Sequence, residues 1–271
     1  MRELLVYLGV SAILLPFLLF VLLGWPGEAN SCIQATPEVT DTCYCEAFDP
    51  GEIGDSGVRQ PFNTWSNLYS LLTGGLVALA VWWTRTRGSS SYTSRMGRTE
   101  FFPLTYIGVV VFLGLGSMWF HASLVGWGGV FDNLSMYTFS NFILFYTLTR
   151  VVDDSRMFYL GYPLTVVALT VFNAAGADGF ALISAAISVY VALELYIAFW
   201  IPSARTDLGG FLFYYLPAVM VFGLAIVVWV GSQTGGFLCD PDSGFQWHGV
   251  WHWLAGLSAV FLYFYWRRAR R

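Results

Sequence analysis

The sequence predicts an all-α integral membrane protein built from eight apolar helices. Three observations lead there. Hydrophobic residues make up 56% of the 271 and charged residues only 11%, whereas a soluble domain is about a quarter charged. The apolar residues gather in runs of roughly 18 or more, long enough to cross the hydrocarbon core as helices. The basic residues, thirteen arginines and no lysine, fall almost entirely in alternate connections between those runs. Mean hydropathy is +0.61. The net charge of −4 and the lack of a basic stripe on a soluble face exclude a nucleic-acid-binding class.

The eight runs span 4–24, 64–84, 102–123, 131–149, 157–174, 179–200, 211–231 and 246–266. The first resembles a signal peptide in position, but its apolar core of about 20 residues exceeds a usual h-region and no small-x-small site follows. It is expected to be a retained helix. The chain then divides into an N-terminal transmembrane helix (1–25), an acidic extracytoplasmic loop (26–62) and a helical core (63–271). With both termini cytoplasmic, twelve of the thirteen arginines lie inside and only Arg59 outside, as the positive-inside rule requires.

The same topology places Cys32, Cys43, Cys45 and Cys239 in outer loops, where disulfides are permitted. Four cysteines allow three connectivities, and one bridge is expected to tie the 25–62 loop to the 232–245 loop. Thiol ligation is the alternative, although C-Y-C lacks the usual zinc spacing. The 25–62 loop carries Glu28, Glu38, Asp41, Glu46, Asp49, Glu52 and Asp55. Its Asp49–Asp55 stretch hints at a hard-cation site but departs from an EF-hand, so a solvated acidic loop is the plainer reading.

The chain has three histidines. His121 lies near the outer end of the third run; His248 and His252 lie at the outer start of the eighth. Four residues apart on a helix, the last two share one face, and His121 arrives at the same depth from another helix. Three imidazoles with a fourth position left for water form the ligand set of a catalytic zinc. Ser117 sits one turn before His121, and Asp132 is expected to open the fourth helix after a G-W-G-G turn. These parts permit metal-assisted hydrolysis, with Asp132 as general base and acid and Ser117 as oxyanion donor or support. Asp132 could instead orient a histidine, and a metal-free histidine pH sensor is the competing reading. Glu194, in the sixth run, is an intramembrane carboxylate and so a candidate for function, though far from the histidines. Trp119, Phe120 and Trp251 are expected either to line a lipid cavity or simply to pack.

The pieces N-T-W-S-N (Asn63–Asn67), S-M-W-F-H (Ser117–His121), D-N-L-S-M (Asp132–Met136) and H-G-V-W-H (His248–His252) together resemble the alkaline ceramidase family. That family belongs to the wider CREST group of membrane hydrolases. The resemblance runs from about residue 43 to the C-terminus. It implies a seven-transmembrane-helix, ceramidase-like bundle, to which the run at 4–24 is an addition. It implies a zinc held by His121, His248 and His252, with Ser117 and Asp132 catalytic, and hydrolysis of ceramide to a sphingoid base and a free fatty acid. Cys45 and Cys239 stand where the family can place a disulfide, with Cys32 and Cys43 as a second pair. Glu46 matches one ligand of the family's calcium site, but Cys43, Gln60 and Phe48 depart from the others, which argues against calcium here. The alternatives are another lipid hydrolase on the same scaffold, cleaving an ester or a different N-acyl lipid, and a zinc-containing seven-helix receptor or binding protein.

Overall fold

The computed structural model describes residues 1–27, 44–47, 56–87 and 93–270. The described residues are all-helical, with one isolated β-bridge, between Tyr44 and Gln233. Helices α1 (Arg2–Ser11) and α2 (Leu14–Leu23) lead, followed by α3 (Pro61–Ser66), α4 (Tyr69–Thr86) and the short α5 (Arg95–Arg98). Then come α6 (Phe101–Ser123), α7 (Gly126–Val152), α8 (Arg156–Ala174) and α9 (Gly179–Trp200). The chain ends with α10 (Leu208–Gly210), a π-turn at Phe211–Tyr215, α11 (Leu216–Gly231) and α12 (Trp247–Arg267). Each of the eight apolar runs is helical. Among the described residues, five stretches are long and apolar enough to cross a membrane: Arg2–Leu23, Phe101–Ser123, Arg156–Ala174, Gly179–Trp200 and Leu208–Gly231. A multi-pass membrane protein fits these spans.

Two of the runs are not single helices. The first is interrupted at Ala12–Ile13, because Pro16 in the next turn has no N–H to give to the Ala12 carbonyl. The second begins earlier, at Pro61, and is interrupted at Asn67–Leu68. There the Asn63 carbonyl accepts the Ser66 hydroxyl (2.8 Å) and the Asn67 side-chain amide (2.9 Å). The backbone N–H of Asn67 turns instead to the Thr64 carbonyl, in i→i+3 fashion. The helical region therefore starts inside the loop assigned to 26–62. A third interruption, the π-turn at Phe211–Tyr215, sits just ahead of Pro217, whose missing N–H it accommodates.

Helix α6 is the axis of the bundle and packs against α1, α3, α4, α7 and α12. Gly114 permits this closeness: a Cβ there would lie 2.6 Å from the Asn67 carbonyl oxygen, and small residues are how membrane helices let their backbones approach. A Leu124–Val125 turn, with Leu124 left-handed at φ 51°, reverses the chain into α7. The structure corrects the reading of G-W-G-G as a turn, because Gly126 to Gly129 are helical. A Cβ on Gly128 would meet the Ser123 hydroxyl at 2.8 Å, so this glycine serves close helix contact. Asp132 consequently lies in the second turn of α7 rather than at its start.

Two aromatic-rich cores fill the bundle. One surrounds Tyr106, Phe142, Tyr146 and Trp266; the other surrounds Phe17, Trp25, Met118 and Trp119. Arginine contacts mark the first end, where Arg85 pairs with Glu3, Arg2 with Glu100 and Arg95 with Asp153. Within it, Glu194 is buried and paired with Arg150 at 2.5 Å. Its carboxylate also accepts from Thr147 (2.9 Å), Tyr265 (2.8 Å) and the Trp266 indole (3.2 Å). The opposite end holds the histidines and the disulfide.

Candidate metal centre

His121 is two residues from the end of α6, and His248 and His252 occupy the first two turns of α12. Their rings are buried and mutually close. Centroids lie 4.7 Å apart for His248–His252, 5.0 Å for His121–His248 and 5.4 Å for His121–His252. One ligand nitrogen from each lies within 4.8 Å of the others. His121 Nε2, His248 Nδ1 and His252 Nε2 are buried without a hydrogen-bond partner. An orphaned buried polar atom costs about 1–3 kcal/mol, so three together call for a shared partner. A cation bound by all three nitrogens would supply it.

The surroundings fix which nitrogens are free. The Gln60 amide nitrogen donates to the carbonyls of Tyr44 (3.3 Å) and Glu46 (3.1 Å). Its oxygen is thus left facing His121 Nδ1 at 2.7 Å. A carbonyl oxygen only accepts, so Nδ1 carries the proton and Nε2 keeps its lone pair for a metal. The Ser66 hydroxyl spends its proton on the Asn63 carbonyl and so accepts from His252 Nδ1 at 2.7 Å. Again Nε2 is released. Partners of this kind set ring orientation and ligand basicity in metal sites.

A strap from Tyr44 to Ala47 covers the centre. The Tyr44 ring lies 4.0 Å from His248 and 4.7 Å from His121; burial, with the Asp132 charge nearby, pushes its phenol well up. The Cys45–Cys239 disulfide, with Cα atoms 5.3 Å apart, ties the strap to the 232–245 loop, and Ala47 N–H donates to the Pro241 carbonyl at 3.1 Å. Both Glu46 oxygens accept backbone N–H groups at the start of α3, from Phe62 (2.7 Å) and Asn63 (2.8 Å). Burial still holds this carboxyl above the usual carboxylate range. The Cys32–Cys43 pair, Phe48 and the Asp49–Asp55 stretch lie outside the described residues.

Ser117 and Asp132 are both buried and face the same cavity. They line one cavity of about 580 Å³ together with Tyr44, Asn67, His248 and His252. Its other walls are largely apolar and include Leu113, Met136, Ile183, Phe222, Ile226 and Trp229. Of the three aromatics left between cavity and packing, Phe120 and Trp251 line it and Trp119 does not. Trp119 turns away to pack on Phe17, Phe20 and Trp25. Glu194 is likewise absent from the cavity wall, held in its ion pair at the other end.

Gln60, Ser66 and Tyr44 are the site residues that sequence reading missed. N-T-W-S-N carries the signal for Ser66, since that motif appears beside the histidine motifs with no chemistry of its own. Replacing Gln60 with leucine is expected to weaken metal binding about 10–100-fold, as loss of an outer-sphere partner does. Gln60→Glu, which keeps the acceptor, is expected to lose less. Chelator competition measures both, and unchanged affinity in Gln60→Leu would remove Gln60 as the orienting group.

Compared with models of known protein families and with curated proteins, the chain matches none.

Proposed function

We propose that this chain is a zinc-dependent intramembrane lipid amide hydrolase, cleaving ceramide or a similar N-acyl lipid to a sphingoid base and a free fatty acid. The observation that carries the reading is the convergence of three orphaned histidine nitrogens, with His248 and His252 lining the same apolar-walled cavity as Ser117 and Asp132. We further propose the arrangement in the membrane: a seven-helix core with one added N-terminal helix, both termini cytoplasmic and the histidines towards the outer face. In support, arginine pairs gather at one end and the histidines at the other. Three of the four motifs that resemble alkaline ceramidases contribute all five proposed site residues.

His121, His248 and His252 would hold the ion, and nitrogen ligands with an open position suit zinc. Bound there, zinc would polarise the acyl carbonyl and acidify a water. The chain's own residues supply the rest. Asp132 takes the proton of the attacking water and passes it to the leaving amine nitrogen. Ser117 steadies the carboxylate at rest; once Asp132 has taken a proton, the hydroxyl is free to donate to the developing oxyanion. The apolar walls keep both lipid chains among the helices while the amide faces the polar end.

The test is fatty-acid release from ceramide by the purified protein in detergent, with Asp132→Ala alongside. Release by the wild type is expected to fall by about 10²–10⁴-fold in Asp132→Ala, with metal content unchanged. Near-normal release by that variant would remove Asp132 from the mechanism. No release by a metal-loaded wild type would overturn ceramide as the substrate and favour another lipid.

A further inference from the structure

We infer that the N-terminal segment is a positioning element of the metal centre, acting through Phe17 and Trp25. The inference rests on the metal-centre reading above and extends it to a part of the chain that the motifs do not reach.

Within α1 and α2 only Glu3 and Phe17 are buried; most leucines of these helices point outward, while Leu14 packs on the Phe17 cluster. A helix that served only as a membrane anchor would not need such a selection. Glu3 meets Arg85 at one end. Phe17, at the other, packs edge-on to Trp65 at 6.2 Å and to Trp119 at 5.9 Å. Trp65 immediately precedes Ser66, the partner of His252, and Trp119 stands two residues before His121. One ring thus braces both the α3 and the α6 sides of the centre.

Trp25 adds a polar link. Its indole N–H donates to the Gly57 carbonyl at 2.8 Å, and Gly57 N–H donates to the Val21 carbonyl at 2.7 Å. From Gly57 the chain runs directly along the end of α6. Arg59 N–H donates to the Ala122 carbonyl (3.1 Å) and Gln60 N–H to the His121 carbonyl (3.2 Å). The Gln60 side chain then fixes His121. The N-terminal segment therefore holds both outer partners of the ligands: Gln60 through the Gly57 bonds and Ser66 through Trp65. Edge-on aromatic contacts of this kind add to area burial, and the chain of bonds turns that packing into ring orientation.

The experiment compares the full-length wild type with Phe17→Ala, Phe17→Leu, Trp25→Phe and Glu3→Gln. Zinc affinity is measured by chelator competition, together with the visible spectrum of the cobalt-loaded protein. Trp25→Phe keeps an aromatic ring and loses only the indole donor, and Phe17→Leu keeps the bulk should the alanine variant not fold. Phe17 and Trp25 variants are expected to bind zinc about tenfold or more weakly, with altered cobalt spectra, while Glu3→Gln at the far end stays near wild type. Wild-type affinity in Trp25→Phe and Phe17→Leu would overturn the inference, as would an equal loss in Glu3→Gln, which would mark general loosening. A wild type that binds no metal at all would instead overturn the metal centre itself.

Discussion

Replacing His252 by alanine is expected to strip the protein of its metal, the largest single effect in the molecule. Zinc-site binding free energies of about 10–16 kcal/mol for four ligands, shared equally, give roughly 3 kcal/mol per ligand, or about a 100-fold loss or more. With only three protein ligands, the remaining two cannot hold the ion against a modest chelator. The same is expected of His121→Ala and His248→Ala. Metal content after dialysis, read by elemental analysis, checks all three. The control is Glu194→Gln, which touches no cavity residue and is expected to retain metal. One equivalent of zinc retained in His252→Ala would exclude the three-histidine centre. Acidification offers the same result without mutation, because ligand histidines must be neutral and protons compete with the ion.

The second large effect is expected at the opposite end. Glu194→Leu leaves the buried Arg150 guanidinium without its counter-charge, and three further donors, from Thr147, Tyr265 and Trp266, lose their acceptor. Breaking a buried pair by removing one partner costs about 3–5 kcal/mol. Thermal unfolding in detergent should fall steeply while metal content per folded molecule holds, since the nearest cavity-lining residue of α9, Ile187, is still about 10 Å along the helix from Glu194 at 1.5 Å per residue and the partners of Glu194 do not line the cavity. The double variant Arg150→Leu with Glu194→Leu is expected to recover part of the loss by removing the stranded charge. An unchanged melting temperature in Glu194→Leu would show that the pair does not stabilise the bundle.

The helical runs were legible because a membrane helix is written as a length of apolar residues, which needs no partner to be recognised. The histidine triad was legible for a related reason: counting crossings puts His121, His248 and His252 at one end. The breaks were less legible. The interruption at Asn67 depends on two side chains competing for the Asn63 carbonyl, a contest with no trace in hydropathy. Gly126–Gly129 read as a turn because glycine has two uses, and only the distance from Gly128 to Ser123 tells close approach from flexibility. Trp119 stayed open between cavity and packing because it lies in the histidine motif; two residues of helix rotate it some 200° from His121, onto the N-terminal aromatic cluster. Glu194 was visible as an intramembrane charge, but Arg150, 44 residues away, identifies it as half of a lock.

The order in which the ligands occur along the chain has a consequence for how the protein is made. Synthesis delivers His121 first, already oriented by Gln60, and only much later the α12 segment that brings His248 and His252 together. The strap that covers the centre is fastened to Cys239, just ahead of that segment. Metal capture is therefore an event of late maturation: any nascent chain short of α12 offers one imidazole, too little to retain an ion. The three-histidine centre comes into being only when the bundle around it is complete.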